Sequence, residues 1–101
     1  MVLKTHNKKR LVTDSLKELQ TIPGVGESLS QDLLDLGYRN ICDLKGESPD
    51  KMYKSLMSLR GHHIDRCVLY VFRCAVYYAS NSVHELELLK WWKWKDGDKN
   101  V

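Results

Sequence analysis

Long apolar runs are missing from this chain. The longest, Cys67 to Ala79, spans thirteen residues and is broken by Arg73, whereas a membrane-crossing helix needs about 20 apolar residues. It reads as a buried core helix, and no membrane association is expected. The first ten residues hold Lys4, Lys8, Lys9 and Arg10 with no apolar stretch behind them, so they do not read as an export signal. Cysteine is sparse, with only Cys42, Cys67 and Cys74. An odd, low count without an export signal suits reduced thiols in the cytoplasm. The close cysteine pairs of structural zinc sites are absent. Cys42, Cys67, Cys74, His62 and His63 are therefore weak metal candidates, and buried cysteine acting as a small hydrophobe is the commoner case. Cys67 lies four residues after His63, a spacing open to a nucleophile pair, but no orienting group or oxyanion site accompanies it. No catalytic residue is assigned, and an enzyme is not expected.

Strong charge of one sign is lacking too. The net charge of +3 conceals an asymmetry: residues 1–12 carry four basic groups and no acid, and the remainder is at −1. Nucleic-acid binders usually present a basic face. Any such face here is local, or borrows Lys8, Lys9 and Arg10 from the N-terminal arm. A chain of 101 residues suits one domain with a modest core, which favours a binding module over an enzyme with its own substrate pocket.

What is present is helical periodicity. The expected layout is a flexible basic arm over residues 1–12, an all-α domain over 13–95 and a frayed polar tail over 96–101. Val12, Leu16, Leu19 and Ile22 form one apolar stripe, with a first helix starting near Thr13, Asp14 or Ser15. Ser15 and Glu18 have the spacing of a capping box. A second helix runs from Glu27 to Leu36 and stops at Gly37. Ser48-Pro49-Asp50 opens a third, with a serine cap, proline at the first position and an acid in the first turn. A fourth begins at His62 or His63 and is apolar nearly all round, as a central helix is. Ser82 and Glu85 have the spacing of another capping box and introduce a fifth helix. That helix leads into Trp91-Trp92-Lys93-Trp94-Lys95.

Between the first two helices lies Ile22-Pro23-Gly24-Val25-Gly26. The two glycines allow positive φ and let another backbone approach, while Val25 plugs the core. The N–H groups around Gly24 and Gly26, with Ser28 in the helix behind them, then face outward as an anion nest. Together with Leu19 and the helix ending at Gly37, this stretch resembles the helix-hairpin-helix motif of DNA-repair and recombination proteins. The resemblance implies a hairpin that holds a nucleic-acid backbone without reading bases, sometimes helped by a monovalent cation at the hairpin carbonyls. Leu44-Lys45-Gly46-Glu47-Ser48-Pro49-Asp50-Lys51-Met52-Tyr53 resembles the linker and third helix of tandem domains of this kind. Leu59-Arg60-Gly61-His62-His63-Ile64 stands where a second hairpin would be, and its single glycine marks it as degenerate.

Asp65 to Ala79 together with Leu89-Lys90-Trp91-Trp92-Lys93-Trp94-Lys95 resembles a narrower group, the bacterial pathogenicity locus family of small helix-hairpin-helix proteins, some of them labelled mitomycin-resistance proteins. The implied function is a sequence-tolerant DNA-binding module connected with repair or recombination. One departure stands out. DNA-binding hairpins often follow the second glycine with polar or basic residues, and here Glu27 is followed by Ser28, then by Asp32 and Asp35. These acids oppose phosphate, so the alternative is a protein-interaction or dimerisation module that keeps the hairpin as architecture. Arg39, Arg60, His62, His63 and Arg66 are candidates for a basic patch at the second turn. Trp91 is expected to cover the core, leaving Trp92 as an exposed platform for a base or a protein partner.

Overall fold

The computed structural model describes residues 11–97, and the basic arm residues Lys8, Lys9 and Arg10 fall outside them. Among the described residues the chain is all-helical, without strands. There are four α-helices: α1 (Val12–Leu19), α2 (Glu27–Asp35), α3 (Pro49–Arg60) and α4 (Arg66–Ser80). Three short 3-10 turns complete it, Ile41–Leu44, Leu86–Leu89 and Trp91–Trp94.

Helix α4 is central, as its sequence demands. Leu69, Val71, Phe72, Cys74 and Ala75 are buried on it. It packs against α3, the first 3-10 turn and both C-terminal turns, while α1 packs on α2. Leu19, Ile22, Val25, Leu33, Leu44, Leu56, Leu69 and Phe72 form one core. Removing a side chain of this size from water contributes about 1.5–3 kcal/mol, so the core holds the short helices that could not persist alone. No helix among the described residues is long and apolar enough to cross a membrane.

The start of α3 follows its sequence signals. Ser48 caps it by accepting from the Lys51 N–H at 3.4 Å, Pro49 stands at its start, and Gly61 closes it at φ +77°. Other boundaries differ from expectation. Helix α1 starts at Val12 with Leu11 as an N-cap that makes no side-chain bond. The Ser15 N–H already donates to the Leu11 carbonyl at 3.1 Å, which places Ser15 inside the helix. Its side chain is buried and its hydroxyl has no hydrogen-bond partner among the described residues. Glu18, the other half of the expected capping box, instead accepts from the Ile41 N–H at 2.8 Å and ties α1 to the first 3-10 turn. Val12 is exposed, so the buried stripe of α1 runs through Ser15 and Leu19. Asn40 and Asp43 do form a capping box, around the first 3-10 turn.

Helix α4 begins at Arg66 rather than at the histidines, because Asp65 caps it by accepting from the Cys67 N–H at 2.8 Å. The expected fifth helix is two 3-10 turns. The Glu85 N–H, which a Ser82 cap would need, donates to the Tyr77 hydroxyl at 2.8 Å. The Leu88 carbonyl is drawn off by the Trp94 indole N–H at 2.8 Å and the Cys74 thiol at 3.5 Å. With these groups engaged by side chains, the segment closes 3-10 bonds instead, from the Leu88 N–H to the Glu85 carbonyl and from the Lys93 N–H to the Lys90 carbonyl.

Candidate functional site

The segment between α1 and α2 folds around two buried residues. Ile22 and Val25 are 1% and 5% exposed, and the Val25 N–H donates to the Ile22 carbonyl at 3.0 Å. Val25 therefore plugs the core as its position suggests. Pro23 is half-buried between them, and Gly24 and Gly26 are exposed.

The two glycines differ in what they do. Gly24 has φ +89°, and a Cβ there would lie 3.0 Å from Cδ1 of Trp91. It is needed both for its backbone region and for its neighbour. Gly26 does not use the positive φ that its missing side chain allows: it is extended, at φ −99° and ψ −163°. A Cβ on it would meet nothing within 4 Å. It is the N-cap of α2 and, without a side chain, leaves the first turn uncapped. The leading N–H groups of a helix have no partner within it, and here they open beside exposed Glu27 and Ser28. Ser30, fully buried, locks this geometry. Its hydroxyl donates to the Glu27 carbonyl at 2.8 Å and accepts from the Gln20 amide at 3.0 Å. Neither Gln20 nor Ser30 stands out in the sequence, since the pair forms only when α1 and α2 meet.

The acids of α2 are not all free to repel an anion. Arg60, at the end of α3, donates to Asp32 at 2.6 Å and to Asp35 at 2.7 Å. The hydrogen bond from Arg60, then that from Gln31, holds the Asp35 carboxyl below the usual carboxylate range. Arg60, a candidate phosphate ligand from sequence, is thus committed to this bridge. His62 and His63 are exposed in the turn between α3 and α4, with the His62 Nδ1 at 2.8 Å from the His63 carbonyl.

Trp91 packs against the core as expected, and its contact with Gly24 brings the C-terminal turn onto the glycine segment. Trp92 stands edge-on to Trp91, with ring centroids 5.7 Å apart, and is 48% exposed. Gly24 and the Trp91–Trp92 pair therefore lie side by side, with Pro23 and Val25 flanking Gly24 in the chain. Lys90 and Lys93 both turn to Glu87, at 3.0 and 3.6 Å.

The glycine segment, α4 and the tryptophan turn all fall within residues 12–100, which the model of the pathogenicity locus family (Cdd1) matches. The chain belongs to the pathogenicity locus family. Neither the curated proteins nor the solved structures gave a match.

In this pathogenicity locus protein the cysteines are scattered. Cys42 and Cys67 are exposed and Cys74 is buried. Burial pushes the Cys74 thiol up to about 11, and the Asp65 carboxylate beside Cys67 raises that thiol as well. Among the described residues no three His, Cys, Asp or Glu side chains come together in a way that could hold a metal. One cluster escaped the sequence altogether. Asp96, assigned to a frayed tail, is held by Arg66 at 2.7 Å and Arg73 at 3.0 Å. The missed signal was Arg73 itself, a charge inside the most apolar run and seven residues, two helical turns, from Arg66.

Proposed function

We propose that this pathogenicity locus protein is a non-enzymatic nucleic-acid-binding module in which α1, the glycine segment and α2 act as a helix-hairpin-helix unit that holds a backbone phosphate. One observation carries the reading: α2 starts at an exposed glycine with no side-chain cap. A helix start of this kind combines N–H donors with the positive end of the helix dipole, the usual recipe for phosphate. The Arg60 bridge reduces the repulsion expected from Asp32 and Asp35. Glu27 remains as a local opponent, and it can swing into water. Contacts of this type position a backbone and carry no sequence information, so DNA of any sequence is the expected ligand and repair or recombination the expected setting. In this reading the turn at Leu59–Ile64 is the degenerate second hairpin, and a monovalent cation at the carbonyls of the first would assist it.

A second reading has its own support. Val83, Leu86 and Trp92 are 84%, 78% and 48% exposed, and exposed apolar side chains of this size serve as protein-docking anchors. The experiment that separates the two is fluorescence anisotropy with labelled single-stranded, duplex and branched DNA at low and moderate salt, for the native chain and Gly26→Asp. An aspartate at this open position caps α2 itself, so it fills the phosphate site without disturbing the core. Under the phosphate reading, binding falls steeply with salt and Gly26→Asp weakens it about tenfold or more while the protein stays folded. No binding to any of the three DNAs at low salt would overturn that reading in favour of a protein partner.

A further inference from the structure

We propose that Arg66, Tyr70 and Arg73 form a second phosphate-binding site, on the face of α4, which the chain's own Asp96 carboxylate occupies. The three residues recur at i, i+4 and i+7 and so share one helical face. Asp96 offers them two oxygens. Oδ2 accepts from the Arg66 Nε at 2.7 Å and from the Tyr70 hydroxyl at 3.3 Å, and Oδ1 accepts from the Arg73 Nη2 at 3.0 Å. A phosphate presents the same motif, an anion whose separate oxygens are each held by a guanidinium, and arginine is the side chain best matched to it.

The donors are held by more than Asp96. The Arg66 guanidinium lies 5.8 Å from the centroid of the Tyr53 ring, and that of Arg73 lies 5.7 Å from the Tyr70 ring. The Arg73 Nη1 also donates to the Trp94 carbonyl at 2.7 Å. The Trp94 bond holds Arg73 in place if the carboxylate leaves, and the Tyr53 ring remains beside Arg66. Asp50 is the other acid at the site, 3.9 Å from the Arg73 Nη2 and mostly exposed. With Asp50 counted, the site without Asp96 is left with one net positive charge, enough to welcome an oxyanion.

Asp96 is open to displacement by solvent and by other anions. Its side chain is 46% exposed, and ion pairs in contact with water are weak because water and salt screen them. It follows the last 3-10 turn and precedes Gly97, so it can swing out while Trp91 and Trp94 stay packed. Asp96 then acts as an intramolecular competitor: phosphate binds α4 only by displacing the chain's own carboxylate. This site does not depend on the α2 reading, because none of its residues belongs to the glycine segment.

The test is titration of the native protein and Asp96→Asn with sodium pyrophosphate against sodium chloride of equal ionic strength, followed through the arginine Nε–Hε resonances. Pyrophosphate should move the Arg66 and Arg73 signals, and Asp96→Asn should bind about fivefold more tightly, the range of an exposed ion pair. Adding Arg66→Gln to Asp96→Asn should remove the response, and Gly26→Asp should leave it unchanged. In the native protein, saturating pyrophosphate should also release Asp96, read as its carboxyl carbon resonance moving to that of a solvated aspartate. This measurement needs no variant. Equal affinity of native protein and Asp96→Asn, an Asp96 resonance that stays put, or shifts confined to Arg39 and Arg60 would each overturn the proposal.

Discussion

The two turns that lead into α2 and α4 look alike in outline and differ in chemistry. Each follows a helix and contains a glycine at positive φ, Gly24 at +89° and Gly61 at +77°. At the first, the next helix begins at Gly26, which has no side chain to offer its leading N–H groups. At the second, the Asp65 carboxylate already fills the start of α4, accepting from the Cys67 N–H. One helix start is open to a ligand and the other is closed by its own sequence. The contrast shows that a glycine-bearing turn is not by itself an anion site; the cap residue decides. Arg60 lies near the second turn and serves the first, by pairing with the acids of α2.

The largest way to break this contrast is Gly24→Val. It forces a β-branched residue into the left-handed region and drives its Cβ against Trp91. Strain and overpacking together should cost about 2–4 kcal/mol, read as a lower urea midpoint with an unchanged slope. Gly61→Val should cost less, because nothing lies within 4 Å of a Cβ there and only the backbone strain remains. Next comes Trp92→Ala. If the tryptophan stacks on a base beside the open helix start, single-strand affinity should fall by about 1–2 kcal/mol, with duplex affinity unchanged in the same anisotropy assay.

Asp65→Ala opens the second helix start and should lower stability at neutral pH. Hydrogen bonds from the Cys67 backbone and side chain hold the Asp65 carboxyl below its ordinary 3.8. A carboxyl lowered in the folded state contributes stability above its unfolded value, lost as pH falls through the folded one. The gap between native protein and Asp65→Ala, followed by thermal unfolding, should therefore be widest near neutrality and narrow as pH falls below 3.8. The smallest effect sharpens the comparison from the other side. Gly26→Asp gives α2 the cap that α4 already has, and stability should change by no more than about 0.5 kcal/mol. A large loss would mean that Gly26 is needed for more than an open helix start.

Much of this was readable from the residues. Ser48-Pro49 opens α3 because the serine bonds a nearby N–H and proline presets the backbone, and both acts are local. Gly37 and Gly61 end helices for an equally local reason. The burial of α4 follows from a pattern that is apolar on every side but the one that carries Arg66 and Arg73. The capping boxes failed at Ser15 and Ser82 because their partners found better ones on other elements: Glu18 at Ile41 of the first 3-10 turn, and the Glu85 N–H at Tyr77 of α4. A local motif states what a segment would do alone, and tertiary contacts outbid it where they supply the same hydrogen bond inside a packed core.

By itself, then, the sequence determined the helical class, the central helix, the glycine segment with its Val25 plug, and membership of the pathogenicity locus family. Those depend on periodicity, turn chemistry and residue order. Only the tertiary structure decided that Gly24 answers to Trp91, that Arg60 belongs to Asp32 and Asp35, that the tryptophan segment breaks into 3-10 turns, and that Asp96 closes on Arg66 and Arg73. Each of these depends on side chains of one element reaching another, and no spacing along one segment encodes where another segment will lie.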